Sequence, residues 1–366
     1  MKLIHYNLFL YAAFAALLLA LLSHFASYSD LTGPLLILFF ALLGVGFRGY
    51  RRTSGYTYTA MIFASVTAAM FYPAFFRQWG EFQWASLIVP LLQVIMFGMG
   101  TSMSLNDFKG VVKMPKGVLV GVLCQFSIMP LIGLTLANLS GFPPEIAAGM
   151  ILIGCSPSGM ASNVMSYLAK ANLALSITIT AITTSLAPIV TPALMGLLAG
   201  EFVQVEVGKM MLDIVKIVIV PISLGLIFNK YLGGKAKWLD DAMPLVSMIG
   251  IALIIVIITA AGRDNLLSIG PLLILLVVIH NFSGYTLGYF AGKLFRMDER
   301  DCRTIALEVG MQNAGLASGL AKEMGKIATV GLAAAVFGPL MNISGSVLAS
   351  YWHRKPTKIE EEEGNN

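Results

Sequence analysis

Residues 303–321 read Arg-Thr-Ile-Ala-Leu-Glu-Val-Gly-Met-Gln-Asn-Ala-Gly-Leu-Ala-Ser-Gly-Leu-Ala. This is a membrane-length apolar segment with a carboxylate, Glu308, inside it. An ionised side chain at bilayer depth costs a few kcal/mol or more unless it is paired or wetted. Gly310, Gly315 and Gly319 weaken the helix at the same place. Polar side chains and loosened backbone therefore coincide, and in a membrane protein that combination lines a cavity or an ion site.

The rest of the 366-residue chain supplies the membrane. It is 57% hydrophobic and 12% charged, against about 25% charged for soluble domains, and its mean hydropathy is +0.81. The chain reads as an all-α polytopic membrane protein. The net charge of +5 does not point to nucleic acid, because most Lys and Arg residues sit in short loops where they set topology. Cys124, Cys155 and Cys302 have no metal or disulfide spacing, and the four histidines are scattered. The first apolar run is longer than a signal-peptide core and is read as a retained helix.

About 20 apolar residues cross a bilayer as a helix. Twelve candidate spans lie near 7–25, 32–47, 57–76, 86–103, 116–138, 145–168, 172–198, 207–228, 241–261, 266–292, 303–321 and 328–350. One set of alternate loops holds Arg48, Arg51 and Arg52, then Lys109, Lys113 and Lys116, Lys170, Lys230, Lys235 and Lys237, and Lys293, Arg296, Arg300 and Arg303. The other set holds Arg77, Lys209, Arg263, Lys322 and Lys326. The positive-inside rule makes the first set cytoplasmic, with both termini inside a cell inner (plasma) membrane. Trp79, Trp84, Trp238 and Trp352 fall near span ends, as an aromatic belt requires. Asp213 and Lys216, three apart, are expected to pair.

An internal echo runs through the chain. Gly159-Met160 leads through Asn163 to Leu168-Ala169-Lys170, and Gly310-Met311 leads through Asn313 to Leu320-Ala321-Lys322. Leu186–Val190 is echoed in turn at Phe337–Met341. Five helices fit the offset, and an odd number forces the second copy to insert upside down. The expected organisation is an N-terminal transmembrane hairpin (1–52), two inverted repeats (53–200 and 201–352) and a disordered cytoplasmic tail (353–366).

The sixth span breaks at Gly154-Cys155-Ser156-Pro157-Ser158-Gly159-Met160-Ala161-Ser162-Asn163. Pro157 removes a donor and disfavours helix just before it. Ser176 and Thr180 share a helix face, and Gln125 lies inside the fifth span. Together Glu308, Gln312, Asn313, Ser162, Asn163, Ser176, Thr180 and Gln125 offer one carboxylate with neutral oxygens. That set suits a small monovalent hard cation, sodium. Blander readings stand beside it: hydroxyls bonded to their own i−4 carbonyls, amides as interhelical glue, Pro157 as a packing kink. Glu308 is the residue least open to them. No nucleophile elbow or phosphate loop appears, so the chain is not read as an enzyme or an ATP-driven pump. The His280, Asn281 and Ser283 cluster is taken as incidental.

At these residues the sequence resembles the bile acid/sodium symporter family. Gly154–Asn163 and Glu308-Val309-Gly310-Met311-Gln312-Asn313-Ala314 are similar to its two broken-helix signatures, and Met96–Gly100 with Asp107-Phe108 to a third marker. The resemblance implies ten helices in a panel and a core domain, with the two broken helices crossing in the core. It implies sodium-coupled import of an organic anion, such as a bile acid or a small carboxylate, across the lipid bilayer. It places one sodium ion at Ser162, Asn163, Ser176, Thr180 and Glu308. A second falls at Glu308, Gln312, Gln125 and the carbonyls of Val309 and Met311. Asn313, Asn163, Ser158 and Gly159 would face the substrate. The N-terminal helix pair departs from the pattern. Two other functions compete: a proton-coupled or arsenite-type exporter, for which Cys155 would supply a thiol, and a non-transporting receptor.

Overall fold

The computed structural model describes residues 3–26, 29–50, 53–104, 106–232 and 237–355. Arg51, Arg52, Lys235 and the expected tail beyond Lys355 lie outside them. Among the described residues nine helices are long and apolar enough to cross a membrane, and the protein is an all-α, multi-pass membrane protein. The remaining three expected spans are one short helix and two interrupted ones.

The helices in order are α1 (Leu3–Phe25), α2 (Ser29–Phe47), α3 (Thr57–Phe71), α4 (Ile88–Ser102), α5 (Pro115–Ser140), α6 (Pro144–Cys155) and α7 (Ala161–Leu168). They continue as α8 (Leu173–Ala199), α9 (Val207–Leu232, with a π turn at Val215–Ile219), α10 (Lys237–Ala261), α11 (Arg263–Leu294), α12 (Glu299–Gly310), α13 (Ala314–Glu323) and α14 (Gly331–His353). The chain punctuates them as local chemistry demands. Pro115 and Pro144 open α5 and α6, where a missing N–H costs nothing. Gly141 closes α5 in the left-handed conformation, φ 65°. Side chains of Asn172, Asp298 and Asn313 cap α8, α12 and α13.

Two packing groups result. In one, α4 lies against α9 and α10, and α10 against α3. In the other, α5, α6, α7, α8, α11, α12, α13 and α14 pack around the two interruptions. The α1–α2 hairpin leans on α3 through α2. Ala13, Ala16 and Ala20 are buried between its helices, small residues that let backbones approach. A Cβ on Gly46 would meet Leu10 at 2.5 Å. Ser23 and Thr32 hydroxyls join the pair at 3.0 Å.

Trp352, near the end of α14, is buried, stacked on Tyr289 and beneath the Arg303 guanidinium. One expectation changes here. Among the described residues no ion pair joins Asp213 to Lys216. A π turn starts between them at Val215.

Candidate functional site

The first interruption follows from Pro157. The residue before a proline is pushed to extended backbone, and Ser156 has φ −72° and ψ 152°. The second needs no proline. Met311 is extended at φ −111°, ψ 103°, and the Asn313 side chain restarts the helix by accepting from Leu316 N at 2.9 Å. The two breaks cross and exchange backbone hydrogen bonds. Gly159 N–H donates to Met311 O at 2.9 Å, and Asn313 N–H donates to Pro157 O at 2.8 Å. Ser158 and Gln312 face each other in this short antiparallel bridge. Gly159 is required at the crossing, because a Cβ there would lie 2.7 Å from Gln312 O.

Interrupted helices free carbonyls that must find donors, and nearly every one here does so from another segment. Cys155 O accepts from Thr191 Oγ1 at 2.8 Å and Ser156 O from Gln125 Nε2 at 2.9 Å. Glu308 O accepts from Ser158 Oγ at 3.1 Å. Val309 O accepts from Gln312 Nε2 at 2.7 Å and Gly310 O from Asn281 Nδ2 at 2.8 Å. Asn281 in turn accepts from Ser344 Oγ at 2.6 Å. His280 beside it is fully buried and bonds Met129 O through Nε2 at 3.0 Å. Asn281, from the cluster taken as incidental, is thus a support of the second break. Its signal was present: an amide and an imidazole in the middle of an apolar span.

Glu308 is fully buried. Ser162 and Ser176 hydroxyls lie 2.5 Å from its Oε1, and Thr180 Oγ1 lies 2.8 Å from Oε2. The same hydroxyls have second acceptors. Ser176 and Thr180 are 2.8 and 3.3 Å from Asn163 Oδ1, and Ser162 is 2.8 Å from Gly159 O. Gly159 O also accepts from Ser162 N–H at 3.0 Å, so the three hydroxyl protons are shared among the two carboxylate oxygens and Asn163 Oδ1. The cage gathers one carboxylate, three hydroxyls and an amide oxygen. Among the described residues no Lys or Arg forms an ion pair with Glu308. Ser162, Asn163, Ser176, Thr180 and Glu308 are therefore brought together by α7, α8 and α12.

Gln125, Gln312 and Val309 form a second, adjoining group. Gln125 Nε2 donates to Gln312 Oε1 at 2.7 Å, and Gln125 Oε1 is buried with no hydrogen-bond partner. Met311 O is taken by Gly159 N–H. The Glu308 carboxylate touches the hydroxyl cage, whereas this group meets Glu308 only through the chain at Val309. Of the residues expected to face substrate, Ser158 and Gly159 are buried within the crossing, Asn313 is buried as a helix cap, and Asn163 is half-buried. Cys155 is buried behind the first break.

Two cavities lie between the packing groups. One, about 470 Å³, is apolar and bounded by Phe63, Met70, Leu266, Ile274, Val336 and Leu340 on α3, α11 and α14. The other, about 130 Å³, is bounded by Met103, Thr184, Ser185 and Ser223 near α4, α8 and α9.

Comparison with known proteins agrees with this architecture. The model of the sodium bile acid symporter family matches residues 89–269. The sodium-dependent transporter YocS of Bacillus subtilis is 44% identical over 279 residues, covering 76% of this chain and 86% of that protein. The probable sodium/metabolite cotransporter BASS1 (chloroplastic) of Arabidopsis thaliana is 34% identical, covering 74% and 68%. The ileal sodium/bile acid cotransporter of Mus musculus is 33% identical, covering 64% and 68%.

Proposed function

The chain belongs to the sodium bile acid symporter family, and from that premise we propose that it is a symporter importing an organic anion with sodium by alternating access. The observation that carries the reading is the buried Glu308 cage, a carboxylate ringed by three hydroxyls and an amide oxygen and, among the described residues, with no Lys or Arg paired to it. A cation neutralises a carboxylate that is costly at bilayer depth. Ser and Thr hydroxyls that donate to Glu308 offer their oxygen lone pairs to the ion. The first sodium ion sits at Ser162, Asn163, Ser176, Thr180 and Glu308. A second uses Gln125, Gln312 and the Val309 and Met311 carbonyls with Glu308, and the unpartnered Gln125 Oε1 supports it.

In this reading α3, α4, α9 and α10 are the panel, and the group around the crossing is the core. The two units 53–200 and 201–352 insert with opposite orientation, and both termini are cytoplasmic. Seven residues across the two breaks trade donors and acceptors, so the core moves as one body against the panel. The anion binds between them. Its apolar body fits the 470 Å³ cavity, which lies within the usual range of about 300–1,000 Å³ for ligand sites. Asn163, Asn313, Ser158 and Gly159 reach the anion as the crossing is exposed. The sodium gradient and membrane potential drive import, at about 2.3 kcal/mol per charge per 100 mV.

The test is uptake into proteoliposomes of a labelled bile acid and of labelled pyruvate, with and without an inward sodium gradient. Sodium-dependent accumulation of either is expected. Accumulation that a proton gradient drives equally well would overturn the reading.

A further inference from the structure

The neighbours of the helix that carries Glu308 say where the ion can go. α12 packs closely against α5, α7, α8 and α11, all members of the group around the crossing, so other core helices surround the cage on the way to the cleft. Along the seam between α8 and α12, by contrast, polar side chains continue without a break. Glu308 meets Ser176. One turn further, Thr304 Oγ1 accepts from Asn172 N–H at 2.9 Å and lies 3.1 Å from Asn172 O and 3.0 Å from Arg300 O. One turn further again, Asp301 Oδ1 accepts from Asn172 Nδ2 at 2.8 Å. On α7, Ser166 follows Ser162 on the same face. It is fully buried and its hydroxyl has no hydrogen-bond partner. An orphaned hydroxyl in a tight core is unfavourable unless something else uses it.

We propose that the coupled cation leaves the Glu308 cage through the core itself, along Ser166, Thr304 and Asp301, and not through the cleft between core and panel. The inference rests on the sodium reading of the cage. The path is short. Asp301 and Glu308 are seven residues apart on one helix, about 10 Å at 1.5 Å per residue. It ends at the half-buried Asp301, on the face that the loop charges assign to the cytoplasm. Every step offers oxygen: a hydroxyl, a second hydroxyl, then a carboxylate. Thr304 is the closed point. Its hydroxyl accepts from Asn172 N–H, which also reaches Arg300 O at 3.4 Å, and its one proton is shared between Asn172 O and Arg300 O, so the α7–α8 loop must lift for the ion to pass. The fully buried Thr304 and Ser166 show the path shut in this conformation.

The experiment labels Ser166→Cys from the cytoplasmic face of inside-out vesicles with a small cationic methanethiosulfonate, using the unaltered chain as background. Thr304→Val removes the hydroxyl's share of the tie, leaving Asn172 bound to Arg300 O and Asp301, and should raise labelling about fivefold in potassium medium, the change expected for losing one hydrogen bond. Thr304→Ser keeps the hydroxyl and should label as Thr304 does. Sodium should slow labelling in all three. Equal labelling with Thr304 and Thr304→Val, or no protection by sodium while sodium still raises the Tm of the unaltered chain, overturns the path. If sodium leaves the Tm of the unaltered chain unmoved, the sodium reading fails and the path with it. A second measurement needs no cysteine. Release of ²²Na⁺ from loaded vesicles should be about fivefold faster in Thr304→Val with sodium-dependent stabilisation retained, and unchanged release would also overturn the path.

Discussion

The hydroxyl cage around Glu308 and the amide group around Gln125 are built beside the same crossing, yet they satisfy their atoms differently. The cage has a charge, and hydroxyls donate to it at 2.5–2.8 Å. The amide group has no charge of its own and enough protons for all but one atom, Gln125 Oε1. The difference bears on which of the two depends on an ion in the proposed reading. There the cage takes a cation to neutralise its charge, whereas the amide group is uncharged and gains one further ligand. Sodium dependence should therefore reside mainly in the cage.

Glu308→Gln is the harshest way to break that contrast. It removes the charge and adds protons, so apparent sodium affinity should fall about a hundredfold or more, because charge attraction in a desolvated site is worth several kcal/mol. A sodium titration followed by Tm checks it, and a retained sodium response would place the main site elsewhere. Ser176→Ala comes next. It takes one oxygen from the cage and one proton from Glu308, a loss of about 1.5 kcal/mol, or about tenfold in sodium affinity. Gln125→Leu should weaken sodium binding less, about threefold, while lowering stability by about 1–2 kcal/mol, because Ser156 O and Gln312 Oε1 lose their donor. Chemical denaturation beside the same titration separates the two effects. If Gln125→Leu abolished the sodium response as Glu308→Gln does, the two regions would be a single unit and the contrast would fall.

The smallest effect is expected far from the site. Glu145 at the start of α6 is bound by Lys326 and accepts from Thr329 Oγ1 at 2.7 Å. These groups are a third exposed, and pairs of that kind are worth about 0.2–1 kcal/mol. Glu145→Gln should lower Tm by about 2 °C or less, with sodium affinity unchanged.

What the sequence disclosed follows the same physics. A carboxylate, two amides and a proline inside apolar spans are expensive there, so Glu308, Gln312, Gln125 and Pro157 announce themselves without a structure. The twelve spans were legible for the same reason, from hydropathy alone. Thr304 and Asn172 were not. Each is unremarkable by itself, and their joint role appears only when α8 and α12 lie side by side. Asn281 was seen but undervalued, because its partner, Gly310 O, is a backbone atom that only an interrupted helix sets free. Asp213 and Lys216 failed in the other direction: helical spacing puts them within reach, and among the described residues no ion pair joins them.

The exchanged hydrogen bonds at the crossing also bear on how the protein is made. Pro157 O and Gly159 N–H have their partners at Asn313 and Met311, which the ribosome adds only after four more spans have been synthesised. Until then the first break sits in the bilayer with a donor and an acceptor unfilled, at several kcal/mol for each group that hydrocarbon surrounds. A nascent chain ending near residue 200 should therefore keep 156–160 wet or leave that span poorly inserted. The two halves complete each other's backbone, and the first becomes a settled membrane segment only when the second arrives.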